Sequence, residues 1–65
     1  MNLIINGETH DMSVETIDEV VEHFGLQQGL VVAEVNGIVI ERNEWENTTV
    51  TEGMRIELVH FVGGG

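Results

Sequence analysis

Short apolar runs separated by asparagine-glycine pairs predict two β-hairpins. The runs are rich in β-branched residues, which favour extended strands. An Asn-Gly pair suits the two positive φ angles of a type I′ turn, a common two-residue hairpin connection. The predicted strands cover residues 3–5 and 9–12 around Asn6-Gly7, and residues 30–35 and 38–40 around Asn36-Gly37.

Between the hairpins, the apolar residues change to helical spacing. The apolar positions i, i+3, i+4 and i+7 are Ile17, Val20, Val21 and Phe24. The opposite face carries the polar residues Asp18, Glu19, Glu22 and His23. Thr16 and Glu19 have the spacing of a capping box, and Gly25 suits the end of a helix. The segment therefore predicts one amphipathic helix that packs on an apolar layer.

The last third of the chain predicts an irregular segment and a final strand. Residues 42–47 are expected to form a loop or a single helical turn anchored by Trp45, since one indole has a large apolar area to bury. Residues 48–51 suit a short strand, and the final strand runs from Met54 or Arg55 to Val62. One helix cannot cover both faces of a small sheet, so a two-layer α+β sandwich follows, as a single domain over residues 1–65.

The final strand is expected to pair with the first strand, because it must lie among the others to bury its apolar residues. Side chains alternate between the two faces of a strand. If Leu3, Ile5, Ile56 and Leu58 face the helix, other apolar side chains must lie on the opposite face of the sheet, which no helix covers and which we call the bare face. The candidates on this face are Ile4, Val59 and Phe61, and we add Val62, which follows Phe61, to the residues of a docking patch. We expect an enzyme that works on the end of the chain to bind there. The alternative is that these side chains only cover sheet backbone.

Acidic residues outnumber basic residues by 12 to 2, giving a formal net charge of −10. Such a chain repels nucleic acid, so the expected partner is a basic protein surface. Acidity that serves only solubility is the alternative. Both basic residues are arginines, so no lysine side chain can capture an activated carboxylate of this protein. An acid-rich composition is the alternative explanation for the missing lysine.

The remaining composition indicates a cytoplasmic protein without disulfides. The chain has no cysteine, no stretch long enough to span a membrane and no export signal at its N-terminus. A catalytic or metal site is not expected, because the three histidines (His10, His23 and His60) lie on separate predicted elements. The carboxylates of Glu41, Glu44 and Glu46 fit a solvated loop. We therefore expect no metal, no bound cofactor and no enzymatic activity in this chain.

Three glycines follow directly after the final predicted strand. Glycine has no Cβ, so a glycine tail can pass through a narrow channel in another protein. We expect a flexible tail over residues 63–65, with Gly63 and Gly64 threaded into a partner and the α-carboxylate of Gly65 as the reacting group.

Four segments of the chain match a known family. They are Asn6-Gly7, Glu34-Val35-Asn36-Gly37, Arg42-Asn43-Glu44-Trp45, and the stretch from Gly53 through Val62 into the glycines. Together with the length, they make the whole chain resemble the β-grasp sulfur carriers, the ubiquitin-like proteins that end in Gly-Gly, and within them the thiamin-pathway carriers of the ThiS family. Met54 departs from the pattern, because such carriers often have aspartate there. The resemblance implies a β-grasp fold: a mixed sheet of four to five strands with one main helix on one face.

The resemblance also implies a mechanism carried out by partner enzymes. A ubiquitin-activating-type adenylyltransferase (ThiF-like) would adenylate the Gly65 carboxylate with its own ATP and magnesium. Sulfur derived from a cysteine desulfurase, as a persulfide, would then displace AMP and leave a thiocarboxylate. Thiazole synthase (ThiG-like) would take this sulfur to build the thiazole ring of thiamin. The chain would therefore be a protein co-substrate, with no nucleic-acid or membrane partner.

Three other functions remain open at this stage. The small subunit of molybdopterin synthase carries sulfur on the same kind of tail, although those proteins are usually longer. A ubiquitin-like modifier would join its tail to lysines of target proteins. An interaction domain whose glycines come from cloning would have no tail chemistry.

Overall fold

The computed structural model describes residues 1–61, so Val62, Gly63, Gly64 and Gly65 lie outside the described residues. The described chain forms five strands and one α-helix. They are β1 (Asn2–Ile5), β2 (Glu8–Asp11), α1 (Ile17–His23), β3 (Val31–Val35), β4 (Ile38–Ile40) and β5 (Arg55–His60). Two 3₁₀ turns, Gln28–Leu30 and Arg42–Asn47, connect them. This is the predicted order of hairpin, helix, hairpin, irregular segment and strand.

The strands form one mixed sheet in the order β2-β1-β5-β3-β4. Each hairpin is antiparallel, and β5 lies between the two hairpins. It runs parallel to β1, with Ile5 opposite Ile56, and antiparallel to β3, with Ala33 opposite Leu58. The predicted pairing of the first and last strands is therefore confirmed, and the last strand of the chain lies at the centre of the sheet.

Both hairpin turns have the backbone geometry that their sequences predict. Asn6 and Gly7 have φ angles of 51° and 82°, and Asn36 and Gly37 have φ angles of 50° and 85°. Two successive positive φ angles define the type I′ turn, whose twist matches that of the flanking strands. These dipeptides consequently fix the register of both hairpins.

The helix starts at Ile17, as predicted, but its start is not a complete capping box. Thr16 makes no side-chain bond to the helix backbone. Its hydroxyl instead donates to Glu19 Oε2 at 3.4 Å, and the Glu15 N–H donates to Glu19 Oε1 at 3.2 Å. The Ile17 N–H donates to the Thr48 carbonyl at 3.1 Å. A neighbouring segment therefore satisfies a first-turn N–H that has no partner within the helix.

The core lies between α1, the 3₁₀ turn at 42–47 and one face of the sheet. Trp45 anchors that turn, as predicted: its side chain is 2% exposed, and its Nε1–H donates to the Ile40 carbonyl at 3.0 Å. The other buried side chains are Leu3, Ile5, Met12, Ile17, Val20, Val21, Val31, Ala33, Val35, Val50, Ile56 and Leu58. Burying apolar surface in this layer is the main stabilising contribution available to so small a domain.

Several local predictions were wrong. Strand β2 ends at Asp11 and not at Met12, and β5 ends at His60, so the predicted extension to Phe61 is wrong. Residues 48–51 do not form a strand, because Thr49 makes only an isolated bridge to Thr16. Leu30 belongs to the 3₁₀ turn and not to β3. Phe24 follows the end of α1 and is 36% exposed, so the helix buries three of the four predicted apolar positions. The Phe24 ring instead packs edge-on against His10 and His23, with ring centroids 5.3 Å away in each case.

Candidate functional site

Strand β5 holds the chain in the middle of the sheet up to the last described residue. After the strand ends at His60, the Phe61 N–H still donates to the Leu30 carbonyl at 2.8 Å. Hydrogen bonds to β3 and β1 on either side keep this strand in place. The residues that follow Phe61 thus start from a fixed position at one end of the sheet.

The side chain of Asn6 anchors this end of β5. Pairing between β1 and β5 stops at Ile5 and Ile56, but Asn6 Oδ1 accepts a hydrogen bond from the Leu58 N–H at 2.8 Å. Asn6 Nδ2 donates to the Leu58 carbonyl at 3.2 Å. One side chain therefore replaces the backbone neighbour that β5 lacks beyond the end of β1.

The other turn asparagine makes a weaker contact of the same kind. Asn36 Oδ1 accepts from the Arg55 N–H at 3.3 Å, near the start of β5. Sequence reasoning assigned Asn6 and Asn36 to the turns and missed both contacts with β5. The contact of Asn6 with the final strand could have been predicted from two features. Each hairpin has asparagine at the same turn position, and the final strand was expected to lie beside the first hairpin.

The predicted division of the sheet into two faces is confirmed. Leu3, Ile5, Ile56 and Leu58 are all buried under the helix. On the bare face, Ile4 is half-buried, while Val59 is 45% and Phe61 54% exposed. The structure thus brings three of the four predicted docking residues onto one face, and the fourth, Val62, lies outside the described residues. Their role in docking stays a prediction.

Two further apolar side chains, Val32 and Val39, belong to the bare face. Val32 is directly opposite Val59 across the β3–β5 pair, and cross-strand partners point to the same side of a sheet. Val39 is opposite Glu34 on the β4 side and is 56% exposed. Sequence reasoning missed both residues because local patterns did not place β3 beside β5. Alternation along β3 would have identified Val32 once that pairing was known.

Charged side chains lie within the same face. Glu34 and Glu57 are direct cross-strand partners, and Arg55 precedes Glu57 by two residues. Within residues 1–61, the ion pair formed is between the Met1 α-ammonium group and Asp11, at 3.2 Å. The carboxylates of Glu34 and Glu57 are therefore not neutralised by a contact with a described basic group.

The histidines and carboxylates of the described chain do not assemble into a metal site. No group of three or more His, Cys, Asp or Glu residues within 1–61 could hold a metal ion. His10 and His23 lie on either side of Phe24, while His60 is the last residue of β5. Nor does any helix in the described part of the chain have the length and apolar character to cross a bilayer.

The chain is similar to known proteins over its full length. The model of the ThiS family matches residues 3–65. The crystal structure of the thiamine biosynthesis protein ThiS from Geobacter metallireducens is 35% identical, with a TM-score of 0.82, and the match covers 100% of both chains. That likeness, together with the mixed five-stranded sheet and its single main helix, confirms the β-grasp fold.

Two thiazole synthases contain a segment that is similar to this chain. The protein of Paramagnetospirillum magneticum is 30% identical and that of Magnetococcus marinus is 32% identical, each over 66 residues. The match covers 100% of this chain in both cases but only 20% of each thiazole synthase. This chain therefore spans about a fifth of the length of these relatives.

Proposed function

The chain belongs to the ThiS family of sulfur carriers, and we propose that it carries sulfur for the thiazole ring of thiamin on the carboxylate of Gly65. The single observation that carries this proposal is the family match, which runs from residue 3 through the terminal glycines. The TM-score of 0.82 against a ThiS protein supports membership of the same family from the fold.

The proposed chemistry starts with activation of the Gly65 carboxylate by a ubiquitin-activating-type adenylyltransferase. A carboxylate is a poor acyl donor until its oxygen becomes part of a good leaving group. The carboxylate oxygen attacks the α-phosphorus of ATP and releases pyrophosphate, which gives an acyl-adenylate. The ATP and magnesium belong to the adenylating partner.

Sulfur then enters from a cysteine persulfide supplied by a cysteine desulfurase. The terminal sulfur of the persulfide attacks the carbonyl carbon and displaces AMP, which leaves Gly65 joined to the donor cysteine through an acyl disulfide. A thiol cleaves the S–S bond, releasing the Gly65 thiocarboxylate and forming a disulfide with the donor cysteine. This chain has no cysteine and no lysine side chain that could intercept the activated group.

Thiazole synthase is the proposed acceptor of the sulfur. Two thiazole synthases contain, within one polypeptide, a segment similar to all of this chain. A carrier and the enzyme that consumes its sulfur gain from being linked, because a tether raises their effective concentration. The segment in those proteins supports a separate thiazole synthase as the partner here.

The fold is consistent with separate roles for the sheet, which would bind the partner, and for the tail, which would enter its active site. The central strand β5 fixes the position of Phe61 at one end of the sheet, and the bare face offers Ile4, Val59 and Phe61 to a partner. We propose that this face, together with Val62, docks on the enzyme while Gly63 and Gly64 pass into its active site. The chain then supplies recognition and a reactive group, and its partners supply the catalysis.

The proposal is tested by reconstitution with the cognate adenylyltransferase, ATP, magnesium, a cysteine desulfurase and cysteine. We expect carrier-dependent exchange of pyrophosphate into ATP, followed by formation of a Gly65 thiocarboxylate. When thiazole synthase and its other substrates are added, the sulfur should pass into the thiazole ring and Gly65 should return to the carboxylate. A carrier that is charged with sulfur but donates it only to molybdopterin synthase would place the chain in the other sulfur pathway. Absence of adenylation by an enzyme that activates a control carrier would contradict the proposal as a whole.

A further inference from the structure

Two glutamates face each other on the bare side of the sheet. Glu34 of β3 and Glu57 of β5 are direct cross-strand partners, and both carboxylates point away from the helix because their neighbours Ala33, Val35, Ile56 and Leu58 are buried beneath it. Directly opposed residues have Cβ atoms about 4.5–5.5 Å apart. The two side chains thus leave the sheet from neighbouring positions on its bare face.

This arrangement is unfavourable for the isolated domain. Like charges that are directly opposite each other destabilise a sheet. The nearest basic residue on the same face is Arg55, which lies diagonally across from Glu34. Within the described chain, no basic nitrogen lies within 4.0 Å of either carboxylate. The pair therefore has no compensating contact inside the described protein.

Apolar side chains lie on two sides of the glutamate pair. Val39 lies beside Glu34 on β4, and the next row toward the end of β5 consists of Val32 and Val59. Phe61 follows four residues after Glu57, about 13 Å along an extended strand. On the bare face, the apolar side chains therefore lie nearest the tail, and the two carboxylates lie farther from the tail along the strands.

We propose that Glu34 and Glu57 together bind one cationic side chain, a guanidinium or ammonium group, of the adenylating enzyme that docks on the bare sheet face. The occupant is thus a protein surface that presents a basic residue framed by apolar side chains. This inference rests on the proposed function. It assigns to Glu34 and Glu57 the role of determining which protein surface binds to the bare face.

Charge complementarity identifies the chemistry of this partner. The chain has a formal charge of −10 and only two arginines, so an acidic partner surface would be repelled. Docking on Val32, Val59 and Phe61 would remove water from the adjacent carboxylates, and two unpaired carboxylates in a dry interface are strongly unfavourable. A cation from the partner removes this penalty, and an arginine fits best because its planar fork can bind two carboxylates.

The test compares two double variants that lose the same number of charges. Glu34→Gln with Glu57→Gln removes the opposed pair, while Glu22→Gln with Glu44→Gln removes two exposed carboxylates on the helix side of the sheet. The affinity of each variant for the adenylating enzyme is measured by isothermal titration calorimetry at low and high salt, beside wild type. Thermal unfolding is recorded for all three proteins.

We expect the variant with Glu34→Gln and Glu57→Gln (the sheet-face variant) to bind at least about tenfold more weakly than the variant with Glu22→Gln and Glu44→Gln (the helix-side variant). The basic side chain of the adenylating enzyme would no longer contact a carboxylate in the interface. The unfolding temperature of the sheet-face variant should equal or exceed that of wild type, since the repulsion is relieved. Equal affinities for the two variants would overturn the inference, and so would a loss of binding accompanied by a lower unfolding temperature.

A further measurement separates this inference from the proposed function. At saturating carrier, the sheet-face variant should still be adenylated and thiocarboxylated, because Gly65 is unchanged. Thiocarboxylation of wild type with equal affinities of the two variants would contradict only the role of the glutamate pair. Failure to thiocarboxylate wild type would contradict the proposed function.

Discussion

Replacing Asn6 by glycine should loosen the end of β5 that leads to the tail. Glycine accepts the positive φ angle of Asn6, so the turn itself is not strained by the change. The substitution removes both side-chain hydrogen bonds to Leu58, at 2.8 and 3.2 Å. Each such bond contributes about 0.5–1.5 kcal/mol, so their loss should cost about 1–3 kcal/mol of unfolding free energy.

Asn36→Gly is the matched control. It makes the same change at the same position of the same turn type, where φ is 50°, but it removes one exposed hydrogen bond of 3.3 Å. The extra flexibility of glycine in the unfolded chain, about 0.4–1 kcal/mol, affects both variants alike. Asn6→Gly should therefore be less stable than Asn36→Gly by the worth of one hydrogen bond, about 0.5–1.5 kcal/mol, and each kcal/mol lowers the Tm of so small a domain by about 4–8 °C.

The assay combines chemical denaturation of both variants with amide hydrogen exchange by NMR. The Leu58 amide should exchange faster in Asn6→Gly because it loses its acceptor, while the Phe61 amide keeps its bond to the Leu30 carbonyl. Equal stability of the two variants, or unchanged exchange at Leu58, would refute the role assigned to Asn6.

Three further changes test the core, the docking face and the tail. Trp45→Phe should lower the unfolding free energy by at least about 1 kcal/mol, measured by denaturant titration, because it leaves the Ile40 carbonyl without its donor; an unchanged stability would contradict this role. Phe61→Asp should weaken binding to the adenylating enzyme, measured by calorimetry, more than it lowers Tm, since the ring is 54% exposed; unfolding would instead assign Phe61 to the core. Gly64→Val should leave Tm within the range of about 0.5 kcal/mol typical of surface changes, yet abolish adenylation through added bulk in the channel; a near-wild-type adenylation rate would exclude a threaded tail.

The sequence predicted those parts of the fold that depend on local patterns. The turns at Asn6 and Asn36 and the first residue of α1 follow from short segments whose geometry neighbouring residues determine. The predicted capping box of α1 is incomplete, because the Thr16 hydroxyl bonds the Glu19 carboxylate and not the helix backbone. The bond from the Ile17 N–H to the Thr48 carbonyl depends on a distant part of the chain and was not predicted. The 48–51 segment was predicted wrongly because its backbone bonds to the residues before α1: the Val50 N–H donates to the Glu15 carbonyl at 2.9 Å, and Thr49 bridges Thr16.

The bare face was predicted only in part, because some of its residues are placed by local alternation and others by pairing between distant strands. Alternation along β1 and β5 was enough to place Ile4, Val59 and Phe61, since those strands were expected to be neighbours. Val32 and the Glu34–Glu57 pair depend on the register between β3 and β5, a long-range pairing that the sequence did not specify. The anchoring of Leu58 by Asn6 likewise became visible only with the two strands side by side.

The central claim is that Gly65 carries sulfur, and the most direct test is the mass of the protein isolated from its native cell. We expect a fraction whose intact mass differs by the replacement of one oxygen by sulfur, with fragmentation placing the sulfur on Gly65. This fraction should increase when thiazole synthase is depleted and disappear when the adenylating enzyme is removed. A protein whose Gly65 remains a free carboxylate under all these conditions, or that carries its sulfur elsewhere, would contradict the account.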